Sequence, residues 1–243
     1  MSLPVGRVAV ALAALITVKV LGVRWMARWG ATGEELAATL PGDQLVPQPG
    51  LTTTRAVTIN ARAADVWPWI AQLGQGRGGF YSYDALENLM GCDIHSADQI
   101  VPAWQGVAVG AQVRLAPDVA MTVAVAEPGH ALVLRGGIPM GSVAAPFDCT
   151  WAFVLGEEPK GTTRLVSREH YGYLRWWAGF VVVPTSVISC VMSRKMLRGI
   201  AQRAEDAASG PGPEAGDAVT DLPDRTWAAR VPTAIGVPRR RSR

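Results

Sequence analysis

Residues 109–135 read VGAQVRLAPDVAMTVAVAEPGHALVLR, and their pattern decides the fold class. Apolar side chains alternate with small or polar ones over 111–115, 121–126 and 131–135, the period of half-buried β-strands. Pro117-Asp118 and Glu127-Pro128-Gly129 punctuate them as turns. The same period continues in TWAFVL at 150–155 and TRLVSREHY at 163–171, separated by a turn over 157–161. Each gap is short, so neighbouring strands are expected to pair antiparallel as hairpins.

Working outward toward the C-terminus, residues 176–208 read as a helix. Residues 176–193 carry no charge over 18 positions, and Pro184 is expected to break or kink the element. From 191 to 205 the pattern is amphipathic, with Met192, Met196, Leu197 and Ile200 opposite Arg194, Lys195, Arg198 and Arg203. The neutral run is long enough to raise a second membrane span. Gly179, Pro184 and the hydroxyl residues dilute its apolarity and favour a helix buried against the sheet.

Toward the N-terminus, residues 52–60 alternate as a first strand. Val66, Trp69, Ile70 and Leu73 then fall at helical spacing. A late proline would cost this helix a hydrogen bond, so Pro68 is expected in its first turn, with the start near Ala64 or Asp65. Residues 74–79 form a glycine-rich loop. A short helix over 83–90 follows, which Gly91 closes. The whole is an α+β domain over 51–208.

Residues 30–50 read as a polar connector punctuated by Pro41, Gly42, Pro47, Pro49 and Gly50. Residues 1–29 form an apolar helix. Sixteen residues lie between Arg7 and Arg24; as a helix they span about 24 Å, against a hydrocarbon core of about 30 Å. Lys19, Arg7 and Arg24 can snorkel to close the gap. We read the segment as a membrane anchor ahead of an amphipathic packing helix or a signal peptide. Lys19, Arg24 and Arg28 outnumber Arg7, which places the domain on the cytoplasmic side. Residues 209–243 read as a disordered, solvated tail ending in an arginine cluster.

Composition excludes several classes. With 49% hydrophobic and 18% charged residues and a net charge of +3, there is no basic stripe for nucleic acid. Cys92, Cys149 and Cys190 are odd in number and widely spaced, so no disulfide framework is expected. Gly74-Gln75-Gly76-Arg77-Gly78-Gly79 matches G-x-G-x-x-G but follows a helix instead of opening one, so it is not a dinucleotide site. Cys92, Asp93 and His95 lack a second cluster to complete a metal site. No metal or other cofactor is expected. The richest polar-aromatic stretch is residues 80–88. Asp84 and Asn88 share one helix face there, as do Tyr83 and Glu87. Such groups beside a cavity can serve in acid–base steps, although capping loops and backbone is the favoured reading.

The chain resembles the START/polyketide-cyclase/Bet v 1-like (SRPBCC) superfamily, in a bacterial branch with an N-terminal apolar helix. The resemblance covers about residues 29–205 and is carried by Trp29-Gly30-Ala31-Thr32, Leu40-Pro41-Gly42-Asp43, Val66-Trp67-Pro68-Trp69, residues 76–84, Asp93-Ile94-His95-Ser96-Ala97-Asp98, Val101-Pro102-Ala103-Trp104-Gln105 and Arg194-Lys195-Met196-Leu197. Residues 176–190 depart from it, being more apolar and β-branched than a usual gripping helix.

The resemblance implies a helix-grip fold, a curved antiparallel sheet wrapped around the long C-terminal helix. It further implies a cavity for a lipid-like or polyketide-like molecule, and it carries no catalytic residue set. The expected function is binding of such a molecule by a membrane-tethered domain, with Tyr81, Tyr83, Asp84, Glu87, His95 and Trp104 as the orienting groups. One alternative is a cyclase or dehydratase using Asp84, Glu87 or His95 as acid and base. Another is a membrane-tethered interaction protein whose cavity has collapsed around large side chains.

Overall fold

The period-two stretches form one six-stranded antiparallel sheet in the order β1-β6-β5-β4-β3-β2. The strands are β1 (Leu51–Ile59), β2 (Gln112–Ala116), β3 (Val119–Glu127), β4 (Ala131–Gly136), β5 (Phe147–Glu158) and β6 (Thr162–Tyr173). The computed structural model describes residues 25–139 and 144–209, together with Gly22. Most of the expected apolar helix 1–29 and nearly all of the tail 209–243 lie outside the described residues. From β2 to β6 the chain is a meander of hairpins, as the short gaps required, and β1 closes it against β6. Register shifts between Arg114 and Ala116 and between Val123 and Val125 bend the β2–β3–β4 end.

Both faces of this sheet are covered, which explains why Ala131, Leu132, Val133 and Leu134 are all buried in succession. Leu132, Leu134, Phe153, Leu155 and Leu165 belong to the inner core. Ala131, Val133, Ala152, Val154 and Val166 belong to a smaller outer one. Against the inner face pack α2 (Ala63–Ala71) and the long α4 (Ala178–Ser209). This is the α+β helix-grip arrangement.

Residues 30–50 carry α1 (Gly33–Ala37) and a 3-10 turn (Asp43–Leu45), and Leu40 packs in the outer core. Thr32 and Glu35 form a capping box: the Thr32 hydroxyl accepts from the Glu35 amide at 3.2 Å, and Glu35 accepts from the Thr32 amide at 2.7 Å. The segment is clamped to β6 by Arg164–Glu35 at 2.6 Å and Arg168–Asp43 at 2.7 Å. Just before it, the Ala27 and Trp29 carbonyls accept from the Thr54 and Ala56 amides, so the free edge of β1 is partly paired. Gly30, at φ +72°, is required here, because a Cβ would collide with the Ala56 carbonyl oxygen.

Two helix expectations are corrected. Pro68 is the sixth residue of α2, past its first turn. The apolar spacing of Ala63, Val66 and Ile70, all buried, draws the start back to Ala63 at the expense of the bond that Pro68 cannot donate. Pro184 does not end α4, which runs through it as one 32-residue helix. Pro184 is exposed, so water can serve the orphaned carbonyl. Nearby, the Thr185 and Ser186 hydroxyls donate to carbonyls one turn back.

The two halves of α4 differ. Its first half buries a narrow stripe, Ala178, Val182, Ser186, Cys190 and Ser193, whereas the second half buries Met196, Leu197, Gly199, Ile200, Ala201 and Ala204. By length and composition α4 could cross a membrane, yet a third of its most apolar window (33%) is buried inside the domain. The Cys190 thiol donates to the Met26 carbonyl at 3.0 Å, so Met26 lies beside this first half.

Candidate ligand cavity

The narrow buried stripe on the first half of α4 has a consequence for the space beneath it. Val181, Thr185, Ser189 and Met192 flank that stripe and line a cavity of about 490 Å³ between this half of α4 and the inner face. Phe80, Met90, Leu115, Met121, Ile138, Phe147 and Trp151 supply its apolar walls. Aromatic contacts stiffen them: Trp151 lies 6.0 Å from Phe80 and 4.9 Å from Phe153, centroid to centroid. The size and lining are those of a small-molecule site.

One polar wall comes from β6. The alternation that points Leu165 inward also points Ser167, Glu169 and Tyr171 inward, while Arg168 and His170 face the outer clamp. Glu169 accepts from the hydroxyls of Thr53 at 2.9 Å, Ser189 at 2.9 Å, Tyr171 at 3.1 Å and Ser193 at 3.4 Å. Its counter-charge is Arg55 on β1, fully buried (0%) with a nitrogen 3.3 Å from the carboxylate. Among the described residues no guanidinium nitrogen of Arg55 has a well-aligned hydrogen-bond partner, so the attraction between the two charges dominates this contact. Burial works to raise the Glu169 pKa, but the Arg55 charge and the hydroxyl donors outweigh it and hold the carboxyl below its usual range. Burial pushes the neighbouring Cys149 thiol up to about 12, and Glu169 adds to the effect, so this cysteine is a neutral wall group.

The opposite wall is α3 (Asp84–Leu89) and the loops around it. Glu87, 8% exposed, lines the cavity with Ser82, Met90 and Cys92. Its Oε1 accepts from the Ser82 hydroxyl at 2.7 Å, and its Oε2 is buried without a partner among the described residues. Burial raises its pKa; the Ser82 bond opposes this and the nearby Asp84 charge adds to it. The cavity therefore holds two carboxyl groups displaced in opposite directions.

Of the six side chains singled out in the sequence, Glu87 alone lines the cavity. Tyr81 is buried beneath α4, where its hydroxyl accepts from Gln72 at 3.0 Å and donates to the Trp69 carbonyl at 3.1 Å. Burial raises its pKa to about 12. Gly199 of α4 permits this packing, since a Cβ there would collide with the Tyr81 carbonyl. Asp84 caps the following loop, accepting from the Ser96 amide and hydroxyl at 2.7 Å each. Tyr83 is 44% exposed. The His95 side chain is 81% exposed, and its Nε2 lies 3.3 Å from the Asp93 carboxylate. Trp104 lies in a 3-10 turn, and its carbonyl accepts from Arg77. Gly74 and Gly79 close their loop on each other by paired backbone bonds as the chain leaves α2.

Sequence reasoning passed over Arg55, Glu169, Tyr171, Ser189 and Ser193. A signal for them existed: Arg55 shares strand parity with Val57 and Ile59, and Glu169 with Leu165 and Tyr171. Opposite charges at two inward strand positions call for partners inside.

No protein-family model matches the chain, and no curated protein does. Solved structures resemble it at low identity. Protein MLL2253 from Mesorhizobium loti shows 15% identity and a TM-score of 0.41 over 63% of this chain and 98% of its own. A point mutant of norcoclaurine synthase from Thalictrum flavum, in complex with a transition-state analogue, shows 14% identity and a TM-score of 0.40 over 65% and 96%. Protein Ms6760 from Mycobacterium smegmatis shows 14% and 0.38 over 67% and 93%. At these scores the fold assignment rests on the strand order and the gripping helix themselves.

Proposed function

We propose that this domain binds a hydrophobic small molecule, lipid-like or polyketide-like, in the cavity between sheet and α4, as an SRPBCC-type ligand-binding module. The single supporting observation is that cavity: about 490 Å³, walled mainly by Phe80, Met121, Phe147, Trp151, Met192 and Met196. Its walls are apolar surface within reach of water, and an apolar occupant removes that surface from water. A collapsed-cavity interaction protein does not accord with this volume. Organic extraction of purified full-length protein, followed by mass spectrometry, tests the reading. Enrichment of a defined apolar compound over a mock-purified control supports it, and its consistent absence counts against it.

The finer part of the proposal is a membrane tether through residues 1–29, with the domain on the cytoplasmic side. Two features support it. Residues 8–18 and 20–23 are apolar apart from Thr17. Large apolar side chains also stand exposed near the cavity: Met90 at 58% and Ile138 at 42% line it, with Leu89 at 83%, Trp176 at 87% and Phe180 at 77% on the adjoining elements. Membrane fractionation with protease protection of inside-out and right-side-out vesicles tests both the tether and its sidedness.

A cyclase or dehydratase reading draws on one specific observation, the two cavity carboxyl groups shifted in opposite directions. Asp84 and His95 contribute nothing to it, since neither lines the cavity. Recovery of a bound compound in chemically altered form after incubation with the protein would favour this reading over simple binding.

A further inference from the structure

We infer that the cavity selects a molecule that donates a hydrogen bond: an uncharged, largely apolar alcohol or phenol whose hydroxyl proton goes to the Ser189 and Tyr171 oxygens. This deepens the ligand-binding reading and rests on it.

The destination of each hydroxyl proton in the cavity wall carries the inference. A hydroxyl has one proton and two lone pairs. Glu169, held as a carboxylate against Arg55, can only accept. Tyr171, Ser189 and Ser193 therefore spend their protons on it, at 3.1, 2.9 and 3.4 Å. Thr185, one turn before Ser189, donates to the Val181 and Val182 carbonyls. On the far wall Ser82 donates to Glu87, and the Trp151 indole N–H donates to Ser167. Thr150 has the strand parity of Ala152, which packs in the outer core, so its hydroxyl points away from the cavity. Among the described residues that line the cavity, these bonds leave no hydroxyl or indole proton unspent; the Cys92 and Cys149 thiols are weak donors. A ketone, ester or carboxylate entering here gives up its bonds to water and finds no strong donor in return. An alcohol or phenol finds lone pairs instead. They lie together, since the Tyr171 and Ser189 oxygens are 3.1 and 3.3 Å from the same Glu169 oxygen, Oε2. They are also within reach: Glu169 is buried, whereas Tyr171 and Ser189 are only half-buried and both line the cavity. Arg55 balances the Glu169 charge, so an uncharged donor suffices.

Displacement of 1,6-diphenylhexatriene, a fluorescent hydrocarbon without polar atoms, from the full chain tests this. The competitors share one skeleton: 4-hydroxybiphenyl, 4-methoxybiphenyl and 4-acetylbiphenyl. Only the first can donate a hydrogen bond. On wild type the phenol displaces the hydrocarbon at about five- to tenfold lower concentration than the ether or the ketone. In the Tyr171→Phe/Ser189→Ala double variant the competitors fall within about twofold of one another, and the hydrocarbon itself binds unchanged or tighter. Equal competition on wild type, or the ketone in first place, overturns the inference while leaving the cavity reading intact. A phenol preference that survives undiminished in the double variant overturns the assignment to Ser189 and Tyr171. Failure of wild type to bind diphenylhexatriene overturns the cavity reading and the inference with it. Should the double variant not fold, Ser189→Ala alone decides: a phenol preference reduced at least about twofold supports the assignment, and an unchanged one refutes it.

Discussion

Replacing Arg55 by methionine removes the counter-charge of Glu169 while keeping a long apolar stem in its place. Arg55 is fully buried and Glu169 is 5% exposed, so neither group can turn to solvent. Breaking such a pair by deleting one member costs about 3–5 kcal/mol, because the other charge is stranded. The four hydroxyl donors on Glu169 remain, which places the expectation near 3 kcal/mol, at the lower end of that range. For a domain of this size each kcal/mol moves Tm by about 2–4 °C, so a fall of about 6–12 °C is expected.

The pH dependence provides a second reading of the same cause. In wild type the Glu169 pKa is depressed. Its stabilisation is therefore present above the unfolded-state value and lost as pH falls through the folded one. In Arg55→Met burial dominates and the folded pKa rises above the unfolded value, so the variant is penalised as pH rises. The stability gap between the two proteins should narrow on going from pH 7 to mild acid. The Arg55→Met/Glu169→Gln double variant should recover most of the loss, since no charge is left buried. Urea denaturation followed by circular dichroism at both pH values measures all three. A loss below about 1 kcal/mol in Arg55→Met, or a gap that does not change with pH, would refute the view that Arg55 holds Glu169 ionised.

Three further outcomes are expected. Thr32→Ala removes the hydroxyl of the capping box and should cost about 1 kcal/mol in denaturant unfolding, because α1 anchors Glu35 against Arg164. Met192→Trp projects a larger ring into the cavity and should lower diphenylhexatriene affinity at least about tenfold, with stability changed by less than about 1.5 kcal/mol, since the ring fills existing space. Trp176→Ser with Phe180→Ser alters two exposed side chains whose rings meet edge to face with centroids 6.5 Å apart. It should leave unfolding within about 0.5 kcal/mol and reduce sedimentation of the protein with phosphatidylcholine–phosphatidylglycerol vesicles.

The strands, the short helix after Ser82 and the long terminal helix were all legible in local pattern, because inward and outward positions differ in polarity at period two or 3.6. Pro68 lies later in its helix than expected, and the break offered for Pro184 does not occur, for a common reason. Local rules weigh the lost hydrogen bond, whereas the buried positions of Ala63 and Val66, and of Val182 and Ser186, hold each helix through its proline. The candidate site divides in the same way. Asp84 and His95 stand out in the sequence as polar groups beside aromatics, yet Asp84 secures a loop and His95 faces water. Arg55 and Glu169 lie 114 positions apart, and only the pairing of β1 with β6 makes them neighbours.

What the chain alone determined, then, was which segments are strands and helices and which of their faces are apolar, since those properties follow from side chains a few residues apart. What only the tertiary structure decided was that residues 30–50 cover the outer face of the sheet, that a cavity lies between the first half of α4 and the inner face, and that of the polar candidates Glu87 reaches it. Those outcomes depend on which distant surfaces meet, and on how much apolar area each meeting removes from water.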